Sequence, residues 1–108
     1  MHTLTRADQL ASHNGDKVRV VGIYRRWIEE DKLGHAYSFT GFAVVELEDG
    51  GSVQIGEGHR ARQEVEHCVG RRVAVTGVLD TERPDERAGA TRPDPLPILR
   101  RPERVELV

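Results

Sequence analysis

The stretch Gly15-Asp16-Lys17-Val18-Arg19-Val20-Val21-Gly22 returns 55 residues later as Gly70-Arg71-Arg72-Val73-Ala74-Val75-Thr76-Gly77. Both copies set a glycine, then valines three and five residues on, then a second glycine at seven. Successive side chains of a strand point to opposite faces, so each copy turns its two valines to one side and Arg19 or Ala74 to the other. A glycine inside such a strand marks a bulge or a sharp bend. Two strands bent at matching places predict a sheet that closes on itself.

What precedes each copy is also alike. Thr5 is placed to cap a helix within residues 1–15, with Asp8 in its first turn and Ala7, Leu10 and Ala11 on one narrow face, before Asn14-Gly15 stops it. Ala61, Val65, Cys68 and Val69 make a second helical face, closed by Gly70 in the left-handed position that ends helices. Between the copies, residues 42–56 read as a hairpin turned at Asp49-Gly50-Gly51. In its first strand Ala43, Val45 and Leu47 share the core face and Phe42, Val44, Glu46 and Glu48 the other. Val53 and Ile55 are their partners in the return strand. Residues 80–95 hold eight charges and three prolines, which predicts a long flexible loop outside the core. Ile98, Leu99, Val105 and Leu107 then supply a last strand, interrupted near Pro102.

The order is helix, strand, two-stranded hairpin, helix, strand, long loop, strand. It resembles the oligonucleotide/oligosaccharide-binding fold, a mainly β, five-stranded Greek-key barrel with a helix between its third and fourth strands. The resemblance runs from about Leu4 to Val108. It is carried by "NGDKVRVVGIY", by "EVEHCVGRRVAVTGVL" and by the hairpin between them, and it identifies no particular family. The helix between strands three and four argues against the main competitor, an SH3-like barrel. The whole chain, residues 1–108, is expected to form one domain. In that arrangement the first and fourth strands lie side by side, which explains why one local plan serves twice.

Composition narrows the function classes. Of 108 residues 37% are hydrophobic and only 5% aromatic, so the core is built of aliphatic side chains. A single cysteine, Cys68, excludes an internal disulfide and Cys-rich zinc frameworks. The absence of a long apolar run or hydrophobic leader points to a cytoplasmic protein that spans no membrane. Fourteen of the sixteen basic residues are arginine, yet the formal net charge is −2, against the clear basic excess usual in nucleic-acid binders.

The resemblance implies a ligand surface on the outer face of strands two and three. All five aromatic residues, Tyr24, Trp27, Tyr37, Phe39 and Phe42, fall within 19 residues around that surface. Aromatic side chains stack bases and arginines meet phosphates, which makes Arg19, Tyr24, Arg26, Phe42 and Val44 the candidate binding residues for single-stranded nucleic acid or a nucleoprotein. The bland alternatives are that the aromatics close one end of the barrel, or that Phe42 and Val44 form an apolar spot for a protein partner or a second copy. Acidic Glu29, Glu30, Asp31, Glu46 and Glu48 weigh against a phosphate track. His59, Arg60 and Arg62, in the glycine turn before the second helix, are a weaker candidate anion site. The histidines have no zinc-like spacing, and helical phase buries Cys68, so no metal, cofactor or catalytic group is expected. The expected function is a non-enzymatic binding module.

Overall fold

A computed structural model of the chain describes residues 1–26, 42–81 and 96–108. Trp27, Tyr37, Phe39 and nearly all of the expected 80–95 loop lie outside the described residues. The elements run β1 (His2–Leu4), two 3₁₀ turns (Ala7–Gln9 and Ala11–His13), β2 (Lys17–Arg26), β3 (Ala43–Glu46), β4 (Ser52–Ile55), α1 (Arg62–Cys68), β5 (Arg72–Asp80), β6 (Ile98–Arg100) and β7 (Glu106–Leu107). Five strands close a barrel in the order β2-β3-β4-β6-β5, with β5 returning to β2. The pairing of β4 with β6 is parallel and the other four are antiparallel. The fold is thus mainly β and closed, as expected. No helix among the described residues is long and apolar enough to cross a membrane.

The repeat explains the closure. β2 and β5 pair antiparallel with Val20 opposite Val75, Val18 opposite Gly77 and Gly22 opposite Val73. The two copies therefore face each other about a local two-fold. Position for position their end bonds match: Gly15 N–H donates to Leu79 C=O at 2.6 Å and Gly70 N–H to Tyr24 C=O at 2.8 Å. Likewise Leu79 N–H donates to Asp16 C=O, and Tyr24 N–H to Arg71 C=O, both at 2.9 Å. All four valines at the inward positions are fully buried. Gly15 and Gly70 both take the positive φ that a side chain resists.

Each long strand also changes neighbour at its inner glycine. β2 carries β1 beside residues 18–20 and β3 beside residues 23–26. β5 carries β7 beside residues 73–74 and β6 beside residues 78–80. A Cβ at Gly22 would run into the Glu46 carbonyl of β3, and one at Gly77 would lie 2.9 Å from the Arg100 carbonyl of β6. The bend that closes the barrel brings backbone against backbone at both places, so only glycine fits.

The core is aliphatic: Leu4, Leu10, Val18, Val20, Val45, Val53, Ile55, Val73, Val75, Leu79 and Leu99 pack together, and Val65 and Cys68 of α1 close one side. Ala43, Val45 and Leu47 face inward as their alternation predicts. Two expectations are corrected. The helix within residues 1–15 is replaced by a short strand and two 3₁₀ turns. So few residues with one narrow apolar stripe hold an isolated helix only marginally, and tertiary bonds win: β1 docks on β2, and the Asp49 carboxylate accepts the Ala7 N–H at 2.9 Å. The last strand is broken near Pro102 as expected, where Arg101 takes a positive φ, but its two parts are separate strands, β6 and β7, that serve opposite ends of β5.

Candidate nucleic-acid interface

Strand alternation puts Tyr24 beside the inward valines of β2, and the structure buries it completely. Its hydroxyl donates to Glu64 Oε2 at 2.9 Å. Arg60, two residues before α1, grips the same carboxylate, Nε to Oε2 and Nη2 to Oε1, both at 2.7 Å. Burial, reinforced by the hydrogen bond to Glu64, pushes the Tyr24 phenol well above its ordinary pKa. Burial would also raise the Glu64 carboxyl, but the hydrogen bonds from Arg60 and Tyr24 and the guanidinium charge outweigh it and hold it below the ordinary range. The three groups form a satisfied polar cluster where α1 meets the barrel. Tyr24 is therefore no stacking platform, because its ring is spent on packing.

The anion site expected in the turn before α1 loses Arg60 for a related reason. Arg60 is committed to Glu64, and Arg62 Nε donates to Glu66 at 2.9 Å. His59 meets Phe42 edge-on, with ring centroids 4.7 Å apart. Spacing of i and i+4 within α1 turns Arg62 toward Glu66, while Arg60, just before the helix, reaches forward to Glu64.

Val44 is the third correction. It does point out of the barrel, yet it is only 5% exposed. Register places it beside Gln54, 4% exposed, and Gln54 beside Ile98, fully buried, so a closed row crosses β3, β4 and β6 outside the main core. Gln54 Nε2 donates to the Gly56 carbonyl at 3.0 Å within it. The outer face of this hairpin offers no open apolar spot at Val44.

Arg19, Arg26 and Phe42 keep their access to solvent in part or in full. Arg19 stands apart, flanked by Thr3 and Thr76 and seven residues from Arg26, up to roughly 23 Å along a strand. Arg26 and Phe42 come together: Arg26 pairs with Ala43, the residue after Phe42. The Tyr24–Arg71 backbone bond brings the start of β5 to the same end of the barrel, adding Arg71 and Arg72. Arg26, Arg71 and Arg72 are all exposed and have no carboxylate partner among the described residues. Arg25 beside them shares Glu46 at 3.6 Å, a pair about half exposed on both sides and so of little worth.

Arg71 and Arg72 are candidate residues missed from the sequence, and a signal for them existed. Once the two copies are set antiparallel, the residue after the second copy's first glycine must face the end of the first copy's strand, where Arg25 and Arg26 lie. Among the described residues no three His, Cys, Asp or Glu side chains are placed to hold a metal ion. No family model, curated protein or solved structure matches the chain.

Proposed function

We propose that this chain is a non-enzymatic binding module of the oligonucleotide/oligosaccharide-binding type that holds single-stranded nucleic acid at the end of the barrel where β2 finishes and β5 begins. The fold assignment draws support from the closed order of five strands and from α1 falling between the third and fourth of them in sequence. The observation that carries the function is that the register sets Arg26, Arg71 and Arg72, none with a carboxylate partner among the described residues, at the same end of the barrel as half-buried Phe42. Guanidinium groups neutralise successive phosphates, and an aromatic ring stacks a base on its face. The net charge of −2 is an average over the chain, and the three arginines at this end are without a carboxylate partner among the described residues.

The alternative is a protein partner on the Phe42 and Val44 face. It draws less support, since Val44 offers almost no area to a partner. Titrating a labelled single strand at roughly 50 and 200 mM salt separates the two, because three phosphate contacts give a log–log slope near −2. R26A, R71A and R72A are each expected to reduce that slope by about 0.7. Binding weaker than about 10⁻⁴ M, or affinity indifferent to salt, overturns the nucleic-acid reading.

A further inference from the structure

Tyr24 and Leu79 hold equivalent places in the two copies, and both are fully buried. They also make the same backbone bonds to the opposite copy. Leu79 does so with an apolar side chain, so closing the barrel requires no hydroxyl at this place. Tyr24 nonetheless carries a polar group inside, where it must find a partner, and its hydroxyl donates to Glu64 of α1 at 2.9 Å. Val65 and Cys68 already anchor α1 in the core. The hydroxyl tether is therefore an addition at one end of the ladder, and that end carries Arg26, Arg71 and Arg72.

The bonds around Arg71 form a closed circuit. Arg71 N–H donates to the carbonyl of Cys68, the last residue of α1, at 2.9 Å, and Arg71 C=O accepts the Tyr24 N–H at 2.9 Å. Gly70 N–H donates to Tyr24 C=O at 2.8 Å. From Tyr24 the hydroxyl leads back to Glu64 in α1, and Arg60 holds that carboxylate with two bonds at 2.7 Å. We propose that Glu64, acting through Tyr24, is the positioning residue of the arginine end: it fixes the turn from α1 into β5 and so holds Arg71 and Arg72 in the arrangement that meets phosphates. The role rests on the nucleic-acid reading above and adds to it the contact that sets its strength. A guanidinium keeps its charge wherever its backbone lies. Loosening the turn lowers the fraction of chains in the competent arrangement, and apparent affinity falls by that fraction.

Y24F tests this, because it removes the tether without changing a charge at neutral pH. Against a labelled single-stranded oligonucleotide its Kd is expected to be about two- to fivefold weaker than that of the wild type, the upper bound being the worth of one hydrogen bond. The salt slope is expected to be unchanged, since the same arginines meet the same phosphates. E64Q opposes two effects: loss of a carboxylate alone strengthens binding to a polyanion, whereas loss of positioning weakens it. Far-UV circular dichroism confirms that each variant is folded, and a lower stability by itself leaves the Kd of a folded chain unmoved. Amide hydrogen exchange without nucleic acid is expected to quicken at Gly70 and Arg71 in Y24F and to stay as it is at Val20 and Val75. If E64Q fails to fold, Y24F decides. A Y24F Kd within twofold of the wild type, an E64Q that binds more tightly, or unchanged exchange at Gly70 and Arg71 each overturns the proposal. A wild type that binds no single strand removes the nucleic-acid reading and this role with it, whereas a wild type that binds and a Y24F that binds equally well removes the positioning alone.

Discussion

The two copies of the glycine-valine plan, residues 15–24 and 70–79, have superimposable tasks and opposite surroundings. Their backbones exchange matching hydrogen bonds, their valines are equally buried, and each is bent at its second glycine against a neighbouring carbonyl. Their ends differ. The first copy begins with Asp16 and faces Asp80 at the close of β5, whereas the second begins with Arg71-Arg72 and faces Arg25-Arg26 at the close of β2. One backbone plan thus yields a ladder of mixed charge at one end, where Asp80 pairs with Arg100, and rich in arginine at the other. The likeness builds the barrel; the difference builds the candidate site.

The likeness is strongest at the bends, and breaking it there carries the largest cost. G22A forces a methyl into the Glu46 backbone and the Val45 side chain, and is expected to lose more than about 3 kcal/mol in chemical denaturation. G77A meets a looser neighbourhood and is expected to lose less, on the order of 1–3 kcal/mol. Equal losses would show that the two corners are equivalent after all. The difference is sharpest at the ninth residue after each leading glycine, Tyr24 in one copy and Leu79 in the other.

Removing the carboxylate that Tyr24 needs, with E64A, leaves a buried hydroxyl and a half-buried guanidinium without their partner and is expected to cost about 2–3 kcal/mol at neutral pH. Because Glu64 has a depressed pKa in the folded chain, its contribution is complete above the unfolded carboxyl pKa of about 4.3 and fades as pH falls through the lower folded value. The stability gap between wild type and E64A therefore closes in acid, and a gap constant down to low pH would remove the ionised cluster from the account.

V20A and V75A test the equality of the centres. Each empties the same fully buried level of the barrel, and each is expected to cost roughly 2 kcal/mol, agreeing within about 0.5. As direct cross-strand partners they should also be non-additive in a double-mutant cycle. The smallest effect belongs to Y24F, which removes one hydrogen bond while Arg60 still holds Glu64, for about 1 kcal/mol in thermal or chemical unfolding.

Much of this architecture was legible in the chain. Val18, Val20, Val73 and Val75 announce inward faces by alternation, Gly22 and Gly77 announce the corners, and Val65 with Cys68 announces the buried face of α1. The candidate site was read less well. Tyr24, Val44, Arg60 and Arg62 are chemically suited to a ligand, and nothing local says that a tyrosine will be swallowed by the barrel or that an arginine will be claimed by a glutamate. Arg62 with Glu66 was foreseeable from helical spacing. Tyr24 with Glu64, forty residues apart, was not.

The sequence by itself determined the long strands β2 and β5 and the hairpin between them, their inward faces and the glycine corners, because these follow from a period of two residues and from where a Cβ has room. Tertiary structure alone decided which polar groups remain available. Solvent access and pairing depend on distances between segments far apart in the chain, and burial converts a candidate ligand group such as Tyr24 into part of the frame while the register of β2, β3 and β5 gathers Arg26, Phe42, Arg71 and Arg72 at one end.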